Sequence, residues 1–262
     1  MFFSHYRCSE NIMENIINNL ITIKNLNFTY HDGHRALNNV NLEIKQGEVF
    51  GIIGPTGAGK STLLQHLNGI LKGDGEIIVD SIKIDRKNDA VIKEKVGIVF
   101  QNPDDQLFCP TVYEDIAFGL FNLGFNREEI ERKINDILEK MSLTHLKEMS
   151  SHHLSFGEKK RVALATTLVM NPLVIALDEP FANLDYKSIL NIIEMIRSLS
   201  LTRIIISQDI LLALSICDRI ALLDKGKIIK VASPTEIVSD RESLSRSGLD
   251  FVPYIEIIKK FL

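Results

Sequence analysis

Three observations predict an α/β fold on a mostly parallel sheet. Short apolar runs alternate with helical stretches along the chain, several of those runs are apolar throughout, and one charged, helix-forming block interrupts the alternation. In order, "LITIKNLNFTY" alternates like an edge strand, and "VFGIIG" is a buried run closing on glycine. "KVGIVFQ" and "LVIALDEP" are similar runs that close on polar residues, and "RIIISQD" and "RIALLDKGKIIKVA" complete the set of buried parallel strands. From Thr111 to Met170 the character changes: "NREEIERKINDILEKM" places apolar residues at helical spacing, with Glu128 or Glu131 free to pair along the surface. A helical subdomain over about 111–170, inserted into the α/β core, is the expected result.

Composition narrows the classes. With 262 residues, of which 45% are hydrophobic, the chain can bury a substantial core. Thirty basic against 34 acidic residues give a net charge of -4, so bulk electrostatics supply no reason to bind nucleic acid. No apolar run reaches the length of a membrane span, and "MFFSHYRCSENIMENIINNL" lacks the basic start and compact apolar block of a secretory signal. A cytoplasmic protein is expected. Cys8, Cys109 and Cys217 are odd in number, scattered and without metal-ligand spacing, which fits reduced thiols rather than a disulfide framework or a zinc site.

The strongest chemical signal is "GPTGAGKST", which satisfies G-x-x-x-x-G-K-[ST] between an apolar strand and the helical "STLLQHLNGI". Its glycines let the backbone curl so that successive N–H groups face phosphate oxygens, and the helix N-terminus adds its positive dipole end. Gly54, Pro55, Thr56, Gly57, Ala58 and Gly59, with Lys60, Ser61 and Thr62 opening the helix, form the expected polyphosphate cradle. Lys60 is expected to reach the β- and γ-phosphates, and the Ser61 hydroxyl to ligate Mg2+. A glycine turn alone explains neither the lysine nor the hydroxyl.

"LVIALDEP" supplies carboxylates at the end of another apolar strand. Asp178 is suited to hold the magnesium, usually through water, and Glu179 to orient or deprotonate an attacking water.

"LSFGEKKRVALA", Leu154 to Ala165, precedes that strand and is similar to the ABC-transporter ATPase signature "LSGGQ" with its basic helix. The resemblance covers nearly the whole chain, so the fold it implies is a P-loop NTPase core of the ABC ATPase type, with an edge antiparallel β subdomain and the inserted helical subdomain. It implies that Tyr30 in "LNFTYHDG" stacks on adenine, that Gln101 in "VFQNPDDQLF" is the Q-loop residue near magnesium and a membrane subunit, and that Asp185 in "NLD" belongs to the D-loop. "QNPDDQLF", "HHLS" and the tail "SGLDFVPYIEIIKKFL" look like the ATPases of energy-coupling-factor importers, which handle cobalt, nickel and vitamins.

The same resemblance implies two such domains packed head to tail, identical or different, with ATP and Mg2+ between the P-loop of one and the signature of the other. Ser155 and Gly157 would then act on the partner's nucleotide, at a helix beginning near Glu158. The implied protein is a motor at the cytoplasmic face of the membrane, energising import through separate membrane subunits. The different-class alternative is a soluble ABC ATPase acting on a macromolecular partner. A GTPase switch lacks its N-K-x-D motif here.

Two positions depart from the family pattern. Phe156 stands where the signature usually has glycine, which sets a ring beside the partner nucleotide. In "TRIIISQDI", Gln208 stands where the family has the histidine that contacts the γ-phosphate. Its amide can donate a hydrogen bond but cannot carry charge or exchange a proton near neutral pH, so catalysis is expected to suffer more than binding. Either a partner subunit supplies an intact site, or glutamine suffices at a modest rate. His152 and His153 read as loop residues, and Lys159, Lys160 and Arg161 as the start of a helix rather than a basic patch. Residues 1–12 fall outside the resemblance, so translation is expected to start at Met13 of a single ATPase domain, 13–262, whose C-terminal extension covers about 235–262.

Overall fold

The computed structural model describes residues 19–251. The expectations about residues 1–12, Met13 and the last part of the C-terminal extension lie outside them. Two sheets organise the molecule. Strands β1 (Asn19–Thr29), β2 (Arg35–Lys45), β4 (Asp74–Val79) and β5 (Ile82–Lys83) form an antiparallel sheet in the order β2-β1-β4-β5. Strands β3 (Val49–Ile53), β6 (Val96–Val99), β7 (Val174–Asp178), β8 (Thr202–Ser207), β9 (Arg219–Asp224) and β10 (Lys227–Ala232) form the second, in the order β10-β9-β3-β8-β7-β6. All of its pairings are parallel except that of β10 with β9.

The central strands have continuous apolar middles because both of their faces are covered, with polar residues confined to their ends. On β7, Val174 and Ala176 belong to a core shared with the antiparallel sheet, while Ile175 and Leu177 belong to a core shared with the helices. β8 divides in the same way, Ile204 and Ile206 against Ile205. Burying one such side chain is worth about 1.5–3 kcal/mol, so the three layers are held by many comparable contributions.

Among the described residues the α-helices are α1 (Lys60–Leu67), α2 (Asp89–Lys95), α3 (Val112–Asn122), α4 (Arg127–Lys140), α5 (Phe156–Leu168), α6 (Tyr186–Ser198), α7 (Ile210–Ile216), α8 (Pro234–Ser239) and α9 (Arg241–Arg246). Thr111 with Glu114, Asn126 with Glu129, and Ser155 with Glu158 each form a capping box, which fixes where α3, α4 and α5 begin. α4 buries Ile130, Ile134, Ile137 and Leu138, a stripe at helical spacing, into the same core that holds Leu177 and Ile205.

Several expectations are corrected. "LITIKNLNFTY" is an inner strand, paired on both sides; its alternation reports one half-exposed sheet face, not an unpaired edge. "RIALLDKGKIIKVA" is a hairpin whose second strand, β10, runs antiparallel at the sheet edge with none of its residues fully buried. The signature helix starts at Phe156, two residues before Glu158, because Ser155 is its N-cap. Glu131 does pair along the surface, accepting from Lys147 Nζ at 2.6 Å and from Asn135 of its own helix at 3.3 Å.

Candidate active site

Strand register sets the site. Ile53 of β3 pairs with Ser207 of β8, and Ile206 of β8 with Asp178 of β7. Gly54, Gln208 and Glu179 therefore leave the carboxyl edge of the sheet side by side, where open α/β sheets bind ligands. Gln208 stands between the glycine loop and the acidic pair because β8 is inserted between their strands. Tyr30, Thr56, Gly57, Gly59, Lys60, Ser61, Thr62, Gln101, Glu179 and Gln208 line one cavity of about 260 Å3, together with His34 and Ala36.

Glycine is required at two points of the loop. A Cβ on Gly54 would lie 2.1 Å from the Leu223 carbonyl oxygen, and one on Gly59, whose φ is +102°, 2.4 Å from that of Ala36. The loop is thus wedged between β2 and the β9–β10 hairpin, where Gly226 also donates its N–H to the Ala58 carbonyl at 2.9 Å. Lys60 is buried, and its Nζ donates to the carbonyls of Gly54 (2.8 Å) and Pro55 (3.0 Å). Burial lowers its pKa, against the opposing pull of Glu179 and Asp178.

The acids lie on the other side of Gln208. Asp178 and Glu179 are only 9% and 8% exposed, and burial raises both pKa values. Asp178 accepts a hydrogen bond from Ser61, yet its Oδ1 is buried without a partner. Glu179 Oε2 accepts the backbone N–H of Gln208 at 3.1 Å, and its Oε1 is likewise unpartnered. The Gln208 side chain is anchored at its own carbonyl oxygen, which accepts from the Thr56 hydroxyl at 3.0 Å.

An unsatisfied buried carboxylate oxygen beside a hydroxyl fits a hard divalent cation. No cluster of three or more His, Cys, Asp or Glu side chains suited to a metal occurs among the described residues, so such an ion would take its remaining ligands from phosphate and water. Tyr30, 38% exposed at the cavity mouth, hydrogen-bonds Thr62 at 2.9 Å and lies roughly parallel to the His34 ring, 6.4 Å away.

Ser155, Gly157 and Asp185 do not join this cavity. They line a separate groove with Glu158, Arg161 and Ser188. The Ser155 hydroxyl donates to Glu158 Oε2 at 2.6 Å, which holds the Glu158 carboxyl below its usual range, and Asp185 caps α6 by accepting from the Ser188 N–H at 2.8 Å. Phe156 does not reach into open groove: its ring lies 5.6 Å from Lys160 Nζ on the same helix.

Sequence reasoning missed His34, Glu158 and Lys160. His34 lies four residues beyond Tyr30 in the same hairpin, which is a usable signal. Lys160 is not a solvated lysine: it is 4% exposed and donates to the Glu179 carbonyl at 2.9 Å. Its neighbour Lys159 pairs with Asp104 at 2.6 Å, and only helix phase separates the two.

A glycine-wedged loop, a buried lysine and an acidic strand end facing it define a P-loop nucleotide-hydrolysing protein. A family model described as ABC transporter matches residues 37–182. The energy-coupling factor transporter ATP-binding protein EcfA of Methanothermobacter thermautotrophicus is 44% identical over 236 residues, covering 88% of this chain and 76% of the relative. EcfA3 of Clostridium perfringens is 41% identical over 237 residues, covering 88% and 83%. The solved structure of cbiO1 from Clostridium perfringens, described as part of the ABC transporter complex cbiONQ, superposes with a TM-score of 0.78 at 38% identity, covering 92% of this chain and 99% of that one. A dimeric ATP-binding cassette in a post-hydrolysis state bound to ADP and Pi gives a TM-score of 0.73 at 31% identity, covering 82% and 98%. The chain belongs to the ABC transporter family, as an ATP-binding, ATP-hydrolysing subunit similar to those of energy-coupling-factor transporters.

Proposed function

We propose that two copies of this chain, or this chain and a related one, pack head to tail to hydrolyse ATP and so drive import of a metal ion or vitamin through separate membrane subunits. The observation that supports this most is the sorting of the motif residues onto two surfaces. Lys60, Ser61, Glu179 and Gln208 share one cavity, whereas Ser155, Gly157 and Asp185 line another groove, so the second set serves a nucleotide only when it comes from a second chain.

In this reading the loop from Gly54 to Thr62 binds the phosphates, Lys60 turning from its own loop carbonyls toward them, and Tyr30 supports the base. Magnesium bound by Ser61 and Asp178, with Gln101 at its edge, would neutralise phosphate charge. Glu179, whose raised pKa makes it a stronger base than a free carboxylate, orients and deprotonates the attacking water. Gln208 holds Glu179 through its backbone N–H and offers its amide to the γ-phosphate, without the charge a histidine would bring. Ser155, at the N-terminus of α5, donates from the other chain once released from Glu158.

A membrane partner has a fitting surface. Phe108 and Phe118, 65% and 49% exposed, face each other edge to face at 5.0 Å beside Phe100 and Gln106, in a groove a few residues beyond Gln101. No helix among the described residues is long and apolar enough to cross a membrane, so the transport path would belong to other chains and this one would sit peripherally on the cytoplasmic face.

The test is sedimentation of the Glu179→Gln variant with and without ATP, followed by co-purification of the wild type from detergent-solubilised membranes. An ATP-dependent dimer and an integral membrane partner are expected. A monomer at millimolar ATP, or recovery with soluble factors only, would overturn the reading.

A further inference from the structure

Glu179 has an unusual backbone for a catalytic carboxylate. Its φ is +46°, in the left-handed region that non-glycine residues avoid, so its side-chain direction depends on what holds its two peptide groups. Its N–H donates to the Ile206 carbonyl at 3.0 Å, within the sheet. Its carbonyl accepts from the Ala182 N–H at 3.2 Å and from Lys160 Nζ at 2.9 Å. The shorter of those two bonds is charge-assisted and comes from another element, the signature helix α5. Phe156, the residue that departs from the family signature, lays its ring toward the same ammonium.

We propose that Lys160 is a positioning residue for ATP hydrolysis: from the signature helix of the same chain it holds the Glu179 peptide, and through it the carboxylate, in the geometry that attacks. The proposal rests on Glu179 being the base. It ties the helix whose cap faces the partner's nucleotide to the carboxylate that acts on the chain's own, five residues from Ser155 to Lys160 along one rigid element. Phe156 finds its reason here as well, since its ring shields the lysine rather than obstructing the groove.

The experiment compares Lys160→Met, Lys160→Arg and Glu179→Gln with the wild type in the same ATPase assembly, reading kcat, KM and ATP affinity, with thermal unfolding as the check on folding. Methionine keeps the length and apolar stem but has no donor. The expected result is a fall in kcat of about 10-fold for Lys160→Met, the order expected when a charged hydrogen bond to a catalytic group is lost, with KM and ATP affinity within about twofold. Lys160→Arg should recover most of that rate. Wild-type kcat in Lys160→Met beside an inactive Glu179→Gln would overturn the proposal, as would parallel loss of ATP affinity and rate, which would mark a general structural role. Full activity in Glu179→Gln would instead fell the reading of Glu179 itself. Should Lys160→Met fail to fold, Lys160→Gln is judged by the same comparison.

Discussion

The P-loop cavity and the signature groove differ in how their polar groups are satisfied. In the cavity, Glu179 Oε1 is buried without a partner, as is Oδ1 of the adjoining Asp178, and Lys60 is desolvated against carbonyls of its own loop. In the groove, Ser155 and Glu158 satisfy each other and Asp185 satisfies a helix end, with Ser155 and Asp185 exposed and Glu158 half-buried. Groups left buried and unpaired raise the energy of the ligand-free state and are repaid when ligand arrives. Capped, exposed groups store nothing and must give up a bond before they engage. In the proposed head-to-tail dimer, one surface would hold nucleotide, while the other would join only when a second chain brings that nucleotide to it.

The sharpest break in this comparison comes from Glu179→Gln. Removing the proposed base while keeping an acceptor for the Gln208 N–H should lower kcat by about 10²–10⁴-fold and leave ATP affinity near wild type, checked by single-turnover hydrolysis beside equilibrium nucleotide binding. Equal losses in both would mean that the acid serves binding, and the two surfaces would no longer divide as described.

Gln208→His follows in size. The glutamine is held by the Thr56 hydroxyl and cannot carry charge, so a histidine there should raise kcat by about 10–100-fold. Steady-state ATPase in one assembly decides it. An unchanged rate would show that the backbone N–H of residue 208, which any side chain retains, is what Glu179 needs.

How much of this was legible in the sequence differs between the two surfaces. "GPTGAGKST" and "LVIALDEP" announce their chemistry locally, because a cradle and a strand-end acid are built from adjacent residues. The position of Gln208 between them needed strand order, which the register of β3, β8 and β7 supplies and the sequence alone does not. Lys160 was hidden by its neighbours: in "GEKKR" three bases look alike, and only the rotation of α5 sends one inward and leaves Lys159 to Asp104. The inner place of β1 was misread for a similar reason, since alternation records how a sheet's faces are covered and says nothing about its edges.

Ser155→Ala tests the groove. The variant loses both the hydroxyl that the proposed dimer would offer to the partner's nucleotide and one capping bond, worth roughly 1 kcal/mol of helix stability. ATP affinity of the isolated chain should stay unchanged, because Ser155 is outside the cavity, while ATP-driven dimerisation should weaken by about 10-fold, the worth of one hydrogen bond to a charged group. Sedimentation across an ATP titration reads the two separately. A loss of affinity in the monomer would place Ser155 on the wrong surface.

The smallest effect probes the cost of leaving the cavity's acids unpaired. Burial raises the pKa of Glu179 above its usual value, so between the two values the folded chain binds more protons than the unfolded one, and stability falls as pH rises through the folded pKa. Above the folded pKa that penalty is present in full. Glu179→Gln removes it, and the nucleotide-free variant should gain about 1 kcal/mol, or about 2–4 °C in Tm for a domain of this size. Repeating the melts from pH 7 down through the carboxylate range should bring the two proteins together, since protonation neutralises Glu179 in the wild type as the substitution does at every pH. A variant that melts lower than the wild type at pH 7 would mean that Lys60 and Lys160 more than compensate the buried charge, and that the cavity is as satisfied in its empty state as the groove.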